Sequence, residues 1–142
     1  SRGTVHAVSP DPKKDPEIKV NYFSEAKDLE ATISGIELLR KIAEKPLLKN
    51  LIVKEILPGA KINTHEEFIG YIKETGQTCW HYVGTCKMGQ DNMAVVDEKL
   101  RVHGLDGLRI ADASVMPHLV SSNTNAPTIM IGERCADFIL NE

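Results

Sequence analysis

Apolar residues recur at helical spacing in three stretches of this chain, with short alternating or apolar runs between them. The first stretch runs from about Glu25 to Lys45, where Leu29, Ile33, Ile36, Leu39 and Ala43 fall near an i, i+4, i+7 stripe. Glu30, Glu37, Lys41 and Glu44 supply its wet side, and Arg40 is placed at the border with its charge in water. Ser24 stands as its N-cap and Pro46 as its stop. The second opens on a capping box, Thr64 with Glu67, carries Phe68, Ile69 and Ile72, and ends near Gly76. In the third, Pro127 occupies the first helical position. Thr128 to Leu140 then presents Ile129, Met130, Ile131, Ala136, Ile139 and Leu140 as its apolar face.

The remaining runs read as strands. Thr4 to Val8 alternates before Ser9-Pro10-Asp11-Pro12 closes it, and Glu17 to Tyr22 has strand composition. Leu51 to Leu57 is a short apolar segment ending in Pro58-Gly59. Met93–Val96, Leu100–Val102 and Leu108–Ala111 follow as short strands, the last ending at Asp112. The pattern predicts an α+β fold: a mostly antiparallel sheet with helices packed on it.

Composition narrows the function. Apolar content of 42% and charged content of 26% are those of an ordinary globular chain, and 142 residues suffice for a real core. A net charge of −3 gives no reason to expect nucleic acid or an anionic membrane as partner. No apolar run approaches the ~20 residues of a membrane span, and the N-terminus lacks a signal-peptide pattern. Three cysteines make an odd count, which argues against a disulfide framework and favours reduced thiols in a cytoplasmic setting. The first residues, Ser1-Arg2-Gly3-Thr4-Val5, are already strand-like and carry no Met, as expected of one piece of a longer protein.

Two polar clusters hold the candidate chemistry. Trp80-His81-Tyr82-Val83-Gly84-Thr85-Cys86-Lys87-Met88-Gly89 sets a histidine among glycines that permit tight backbone, and histidine is the side chain most easily poised to take a proton near neutral pH. The alternative is a structural histidine in a turn. Asn123 to Thr128 opens a helix, where free N–H groups and partial positive charge favour an anion or a carbonyl becoming negative. Plain capping is the competing reading there, as an Asx turn is for Asp112-Ala113-Ser114 at a strand end. Cys79, His81 and Cys86 match no standard zinc spacing and lack an evident fourth ligand, so no metal is expected. Cys86 as a nucleophile beside His81 has no orienting acid or amide placed by the sequence. His6, His65, His103 and His118 have no helpful company and read as ordinary surface or core histidines.

Taken in order, these segments resemble one family. They are His81-x-x-Gly84-Thr85-Cys86-x-Met88-Gly89, Val95-Val96-Asp97, Leu100-Arg101-Val102-His103-Gly104-Leu105-x-Gly107-Leu108-Arg109, Asp112-Ala113-Ser114-x-Met116-Pro117 and Asn123-x-Asn125-Ala126-Pro127-Thr128-Ile129-Met130-Ile131-Gly132-Glu133. The chain is similar to the C-terminal part of the glucose–methanol–choline (GMC) oxidoreductases, flavoenzymes that oxidise alcohols, and within them to the choline-dehydrogenase-like branch. The likeness is dense over 79–140; the opening residues and Leu57-Pro58-Gly59 extend it to nearly the whole chain.

The resemblance implies FAD as cofactor and a small-molecule alcohol as substrate. It implies His81 as catalytic base and Asn123 as partner of the substrate oxygen, with Trp80, Asp112, Ala113, Asn123, Thr124, Asn125, Pro127 and Thr128 at the flavin. Residues 1–101 would be mainly substrate-binding region, and 102–142 would complete the FAD-binding domain. Two departures stand out. Tyr82 follows His81 where many members have proline, and no Gly-x-Gly-x-x-Gly turn for the ADP half of FAD is present. The expected partner is therefore the missing N-terminal FAD-binding portion of the same protein. The 142 residues alone are expected to fold at least in part, to leave apolar surface from Leu108 to Leu140 exposed or buried by self-association, and to be inactive. A stand-alone binding module and a flavin-fold lyase are the competing functions.

Overall fold

The computed structural model describes residues 1–142. Its elements are strands β1 (Thr4–His6) and β2 (Glu17–Lys19), helices α1 (Ala26–Ala43), α2 (Pro46–Lys49) and α3 (His65–Thr75), a 3-10 turn at Ala113–Val115, and helix α4 (Asn125–Leu140). The chain divides into two compact units, Ser1–Gln77 and Thr78–Glu142. The fold is α+β, with a small antiparallel sheet.

In the first unit β1 and β2 pair antiparallel, with Val5 opposite Ile18. The second strand stops short of the predicted Tyr22 because Asn21 and Phe23 both turn left-handed, at φ of +51° and +56°. Helix α1 packs on α3 through Ile33, Phe68 and Ile72, with Leu29, Ile36 and Ile69 around them. The stripe differs from the predicted one at a single step. Leu39 is exposed, and Arg40, at i+4 from Ile36, takes the inward position instead. Its guanidinium lies 5.2 Å over the Phe68 ring and donates to the carbonyls of Ile62 (2.8 Å) and Gly59 (3.2 Å) and to Glu55 (2.8 Å). Arg40 therefore clamps the loop before α3 rather than pointing to water, because a planar fork of donors can satisfy several loop acceptors at once.

Helix ends follow local chemistry. Glu25, not Ser24, is the N-cap of α1, and Pro46 both ends the approach from α1 and begins α2. The Thr64–Glu67 box forms as predicted: Thr64 Oγ1 accepts from the Glu67 N–H, and Glu67 Oε2 accepts from the Thr64 and Asn63 N–H groups at 2.9 Å. Helix α3 ends at Gly76, where the chain turns extended and a Cβ would lie 2.5 Å from the Ile72 carbonyl oxygen, so that only glycine fits.

The second unit has one long helix and little regular strand. Val96, Leu100, Val115, Met116, Ile131 and Cys135 form its core. The strands expected at 93–96, 100–102 and 108–111 are present only as single bridges, Met88–Val96, Val96–Val102 and Arg101–Arg109. Left-handed residues at Leu100, Gly104 and Gly107 break each run before a ladder can propagate. Helix α4 starts two residues before Pro127 and buries Ile131 and Cys135, with Phe138 partly covered. These fall at i, i+4, i+7, whereas Ile129, Met130, Ile139 and Leu140 of the predicted face are exposed. No helix is long and apolar enough to cross a membrane.

Candidate active site

Every residue singled out for chemistry lies in the second unit. The segment that carries His81 is irregular, so no ladder of its own holds it. Instead it is gripped from two sides. Toward the 3-10 turn, the Cys86 N–H donates to the Ser114 carbonyl (3.0 Å) and the Met88 N–H to the Val115 carbonyl (2.8 Å). Gly84, at φ of +86°, brings its backbone against the Met116 carbonyl, 3.4 Å from where a Cβ would stand. On the other side, the Gly89 N–H donates to the Val96 carbonyl and the Val95 N–H to the Lys87 carbonyl, at 3.0 and 2.9 Å. Backbone groups in irregular segments must find partners as helices and strands do, and here they find them in one another.

His81 is half-buried, and its imidazole has no hydrogen-bond partner within the chain. Trp80 beside it is 79% exposed and left-handed at φ of +61°, an uncommon conformation for a bulky side chain. Its ring meets Tyr82 edge to face, centroids 6.4 Å apart. Tyr82, the departure from the usual proline, thus shares an exposed aromatic pair flanking His81.

The Asp112–Ala113 turn is built by the aspartate itself. Asp112 Oδ1 accepts from the Ser114 N–H at 2.7 Å, capping the 3-10 turn and leaving Oδ2 uncommitted. This is the Asx turn that was the competing reading, and it also sets the two carbonyls that receive Cys86 and Met88. The 3-10 turn in turn packs on α4.

At the start of α4, Asn123 Oδ1 accepts from the Asn125 N–H at 2.8 Å. That leaves the Asn123 amide nitrogen as its free donor on an exposed side chain. Thr124 is buried and its carbonyl receives both the Thr128 N–H (3.0 Å) and the Thr128 hydroxyl (2.6 Å). Pro127 has no N–H, so among the first three helical residues only Ala126 keeps an orphan donor, under a small exposed side chain. His81 and Asn123 are not hydrogen-bonded to each other. They are linked through the 3-10 turn, which bonds the His81 segment and packs against the helix that Asn123 introduces.

Cys79 is exposed, Cys86 half-buried and Cys135 buried, all as free thiols, and no cluster of three His, Cys, Asp or Glu side chains is arranged to hold a metal ion. His103 is exposed, in keeping with its reading as a surface histidine, yet its ring is engaged. Its ring Nε2 lies 3.0 Å from the Gly89 carbonyl oxygen. Only its place in the dense run 100–109 could have marked it.

Residues 1–132 match the family described as GMC oxidoreductase. The chain is 45% identical over 139 residues to the oxygen-dependent choline dehydrogenase of Citrobacter koseri, covering 98% of this chain and 25% of that protein. It is 42% identical over 142 residues to an alcohol dehydrogenase (acceptor) of Pseudomonas putida, covering all of this chain and 26% of that one. Among solved structures, an FAD-dependent oxidoreductase from Chaetomium thermophilum superposes with a TM-score of 0.89 at 32% identity, over 98% of this chain and 24% of that one. The chain thus spans about a quarter of the length of the curated relatives it matches.

Proposed function

The chain belongs to the GMC oxidoreductases, and we propose that it forms the C-terminal part of an FAD-dependent dehydrogenase or oxidase acting on an alcohol. The observation that carries this reading is the joining, in one compact unit, of the His81 segment, the Asp112–Ala113 turn and the start of α4. The residues at the α4 start suit a flat, electron-accepting ring: a free Ala126 N–H, small side chains and the positive end of a helix dipole. Trp80, Asp112, Ala113, Asn123, Asn125, Pro127 and Thr128 would hold FAD, with Thr124 fixing the backbone beneath them. When bound, FAD supplies the two-electron acceptor for the hydride of the alcohol carbon.

The protein's own part is to bind the alcohol and take its proton. His81 accepts the hydroxyl proton, for which an imidazole with no partner inside the chain is free. Asn123 donates through its amide nitrogen to the substrate oxygen, while its carbonyl oxygen stays engaged with Asn125 and so fixes the direction of the amide. Residues 1–101 belong mainly to the substrate-binding region and 102–142 complete the flavin domain. This division cuts across a core that joins Val96 to Val115 and Ile131, so the catalytic segment and the flavin-side turn fold as one piece.

In this reading the 142 residues alone are inactive, because they lack a glycine-rich turn for the FAD pyrophosphate. His81→Ala in the full-length enzyme slows flavin reduction by alcohol ~10²–10⁴-fold at unchanged FAD content, measured by anaerobic stopped flow. An unchanged rate would remove His81 from the role.

A further inference from the structure

His103 is not part of the proposed machinery, yet it closes the far end of the segment that begins at His81. Its backbone N–H donates to the Val95 carbonyl at 3.0 Å, which ties residue 103 to the run that also receives Gly89. Its ring then reaches the Gly89 carbonyl oxygen at 3.0 Å. A carbonyl can only accept, so Nε2 carries the hydrogen and donates. Gly89 is closely surrounded and held at its N–H as well. A Cβ there would stand 3.3 Å from Asp91 Oδ2 and 3.4 Å from Ala94 Cβ, while its N–H is held by the Val96 carbonyl. Between Gly89 and His81 lie the two bonds to the 3-10 turn, from Met88 and Cys86, and the close approach of Gly84 to Met116.

We infer that His103 is a positioning residue for the catalytic segment, holding the Gly89 carbonyl through Nε2–H and so fixing the register in which residues 84–89 meet the 3-10 turn. The inference rests on the proposed role of His81. When the ring is removed, the Gly89 carbonyl loses its donor, the Met88–Val115 bond is no longer braced from behind, and the segment can slide along the turn. Small misplacements of a reacting group cost up to ~10²-fold in rate, and this one acts eight residues from the base, so about a tenfold loss is expected.

The test uses full-length holoenzyme carrying His103→Phe, which keeps a ring without the N–H, and His103→Gln, whose amide nitrogen can restore the donor. The readout is the limiting rate of flavin reduction per bound FAD, which lost stability or lost cofactor does not change. H103F is expected to be about tenfold slower with little change in substrate affinity, and H103Q to recover most of that loss. H103F reducing its flavin at the wild-type rate would overturn the inference, even if the variant is less stable. So would H103Q remaining as slow as H103F. H81A measured alongside separates the two readings. A slow H81A with a fast H103F overturns only the positioning role, whereas a wild-type rate in H81A overturns the role of His81 and this inference with it.

Discussion

The units Ser1–Gln77 and Thr78–Glu142 bury their side chains by different means. In the first, two amphipathic helices meet through Ile33, Phe68 and Ile72, and an arginine in the packed face clamps the neighbouring loop. Its backbone is satisfied mostly within elements. In the second, a single helix lies against irregular segments whose backbone groups pair with one another across single bridges. All the candidate chemistry sits in this second unit. A loop gripped from two sides can present a half-buried histidine and an open helix start at fixed positions, whereas a helix face is spent on packing. The cost is dependence on glycines and left-handed residues, which break strands but let backbones approach.

The sharpest way to break this contrast is to remove the centre of the first core. Phe68→Ala should cost about 3–5 kcal/mol, since it deletes a buried ring that also receives Arg40. Amide exchange should then accelerate in α1 and α3 while the Cys86 and Met88 amides keep their protection. Protection lost in step at those two amides would show that the units do not unfold separately.

Glycine substitutions should have opposite signs in the two units. Gly84→Ala places a Cβ on a residue at φ of +86°, 3.4 Å from a carbonyl oxygen, and should destabilise by about 1–2 kcal/mol. Gly35→Ala falls on an exposed position of α1 with nothing within 4 Å, and should stabilise by about 0.5–1 kcal/mol. Denaturant melts of both variants decide it, and a stabilised G84A would mean the loop relaxes more freely than its contacts imply.

The smallest effect concerns acid. Backbone N–H groups of Asn63 and Thr64, with the Thr64 side chain, hold the Glu67 carboxyl below its ordinary value of 4.5. A lowered folded pKa contributes stability that is complete above the unfolded value and is lost as pH falls through the folded one. Helix α3 should therefore weaken on acidification below about pH 4.5, and E67Q, with no proton to gain, should lose that part of the pH dependence. Circular dichroism against pH in both proteins checks this.

Helices α1 and α3 could be read from spacing and capping because those signals are local: a stripe at 3.6-residue period, and a threonine three residues before a glutamate. The stripe failed only at Leu39 and Arg40, where loop carbonyls from Gly59 and Ile62, distant in sequence, made the inward place suitable for a guanidinium. In the second unit the same approach placed strands at 93–96, 100–102 and 108–111. Apolar runs of that length mark burial without saying whether a partner continues beside them. The site was legible as motif. Its order along the chain carried the family and named His81, Asn123 and Asp112 as candidates.

By itself, then, the sequence determined helices α1, α3 and α4, the α+β class and the capping box, and it named the polar clusters as candidates, since each follows from residues near in the chain. The tertiary structure alone decided that the turn Asp112 caps grips the His81 segment and that the His103 ring reaches the Gly89 carbonyl. Asp112 and Asn123 act on their immediate neighbours. The grip on the His81 segment and the reach of the His103 ring join groups 14 to 28 residues apart in the chain, and no local pattern encodes such a pairing.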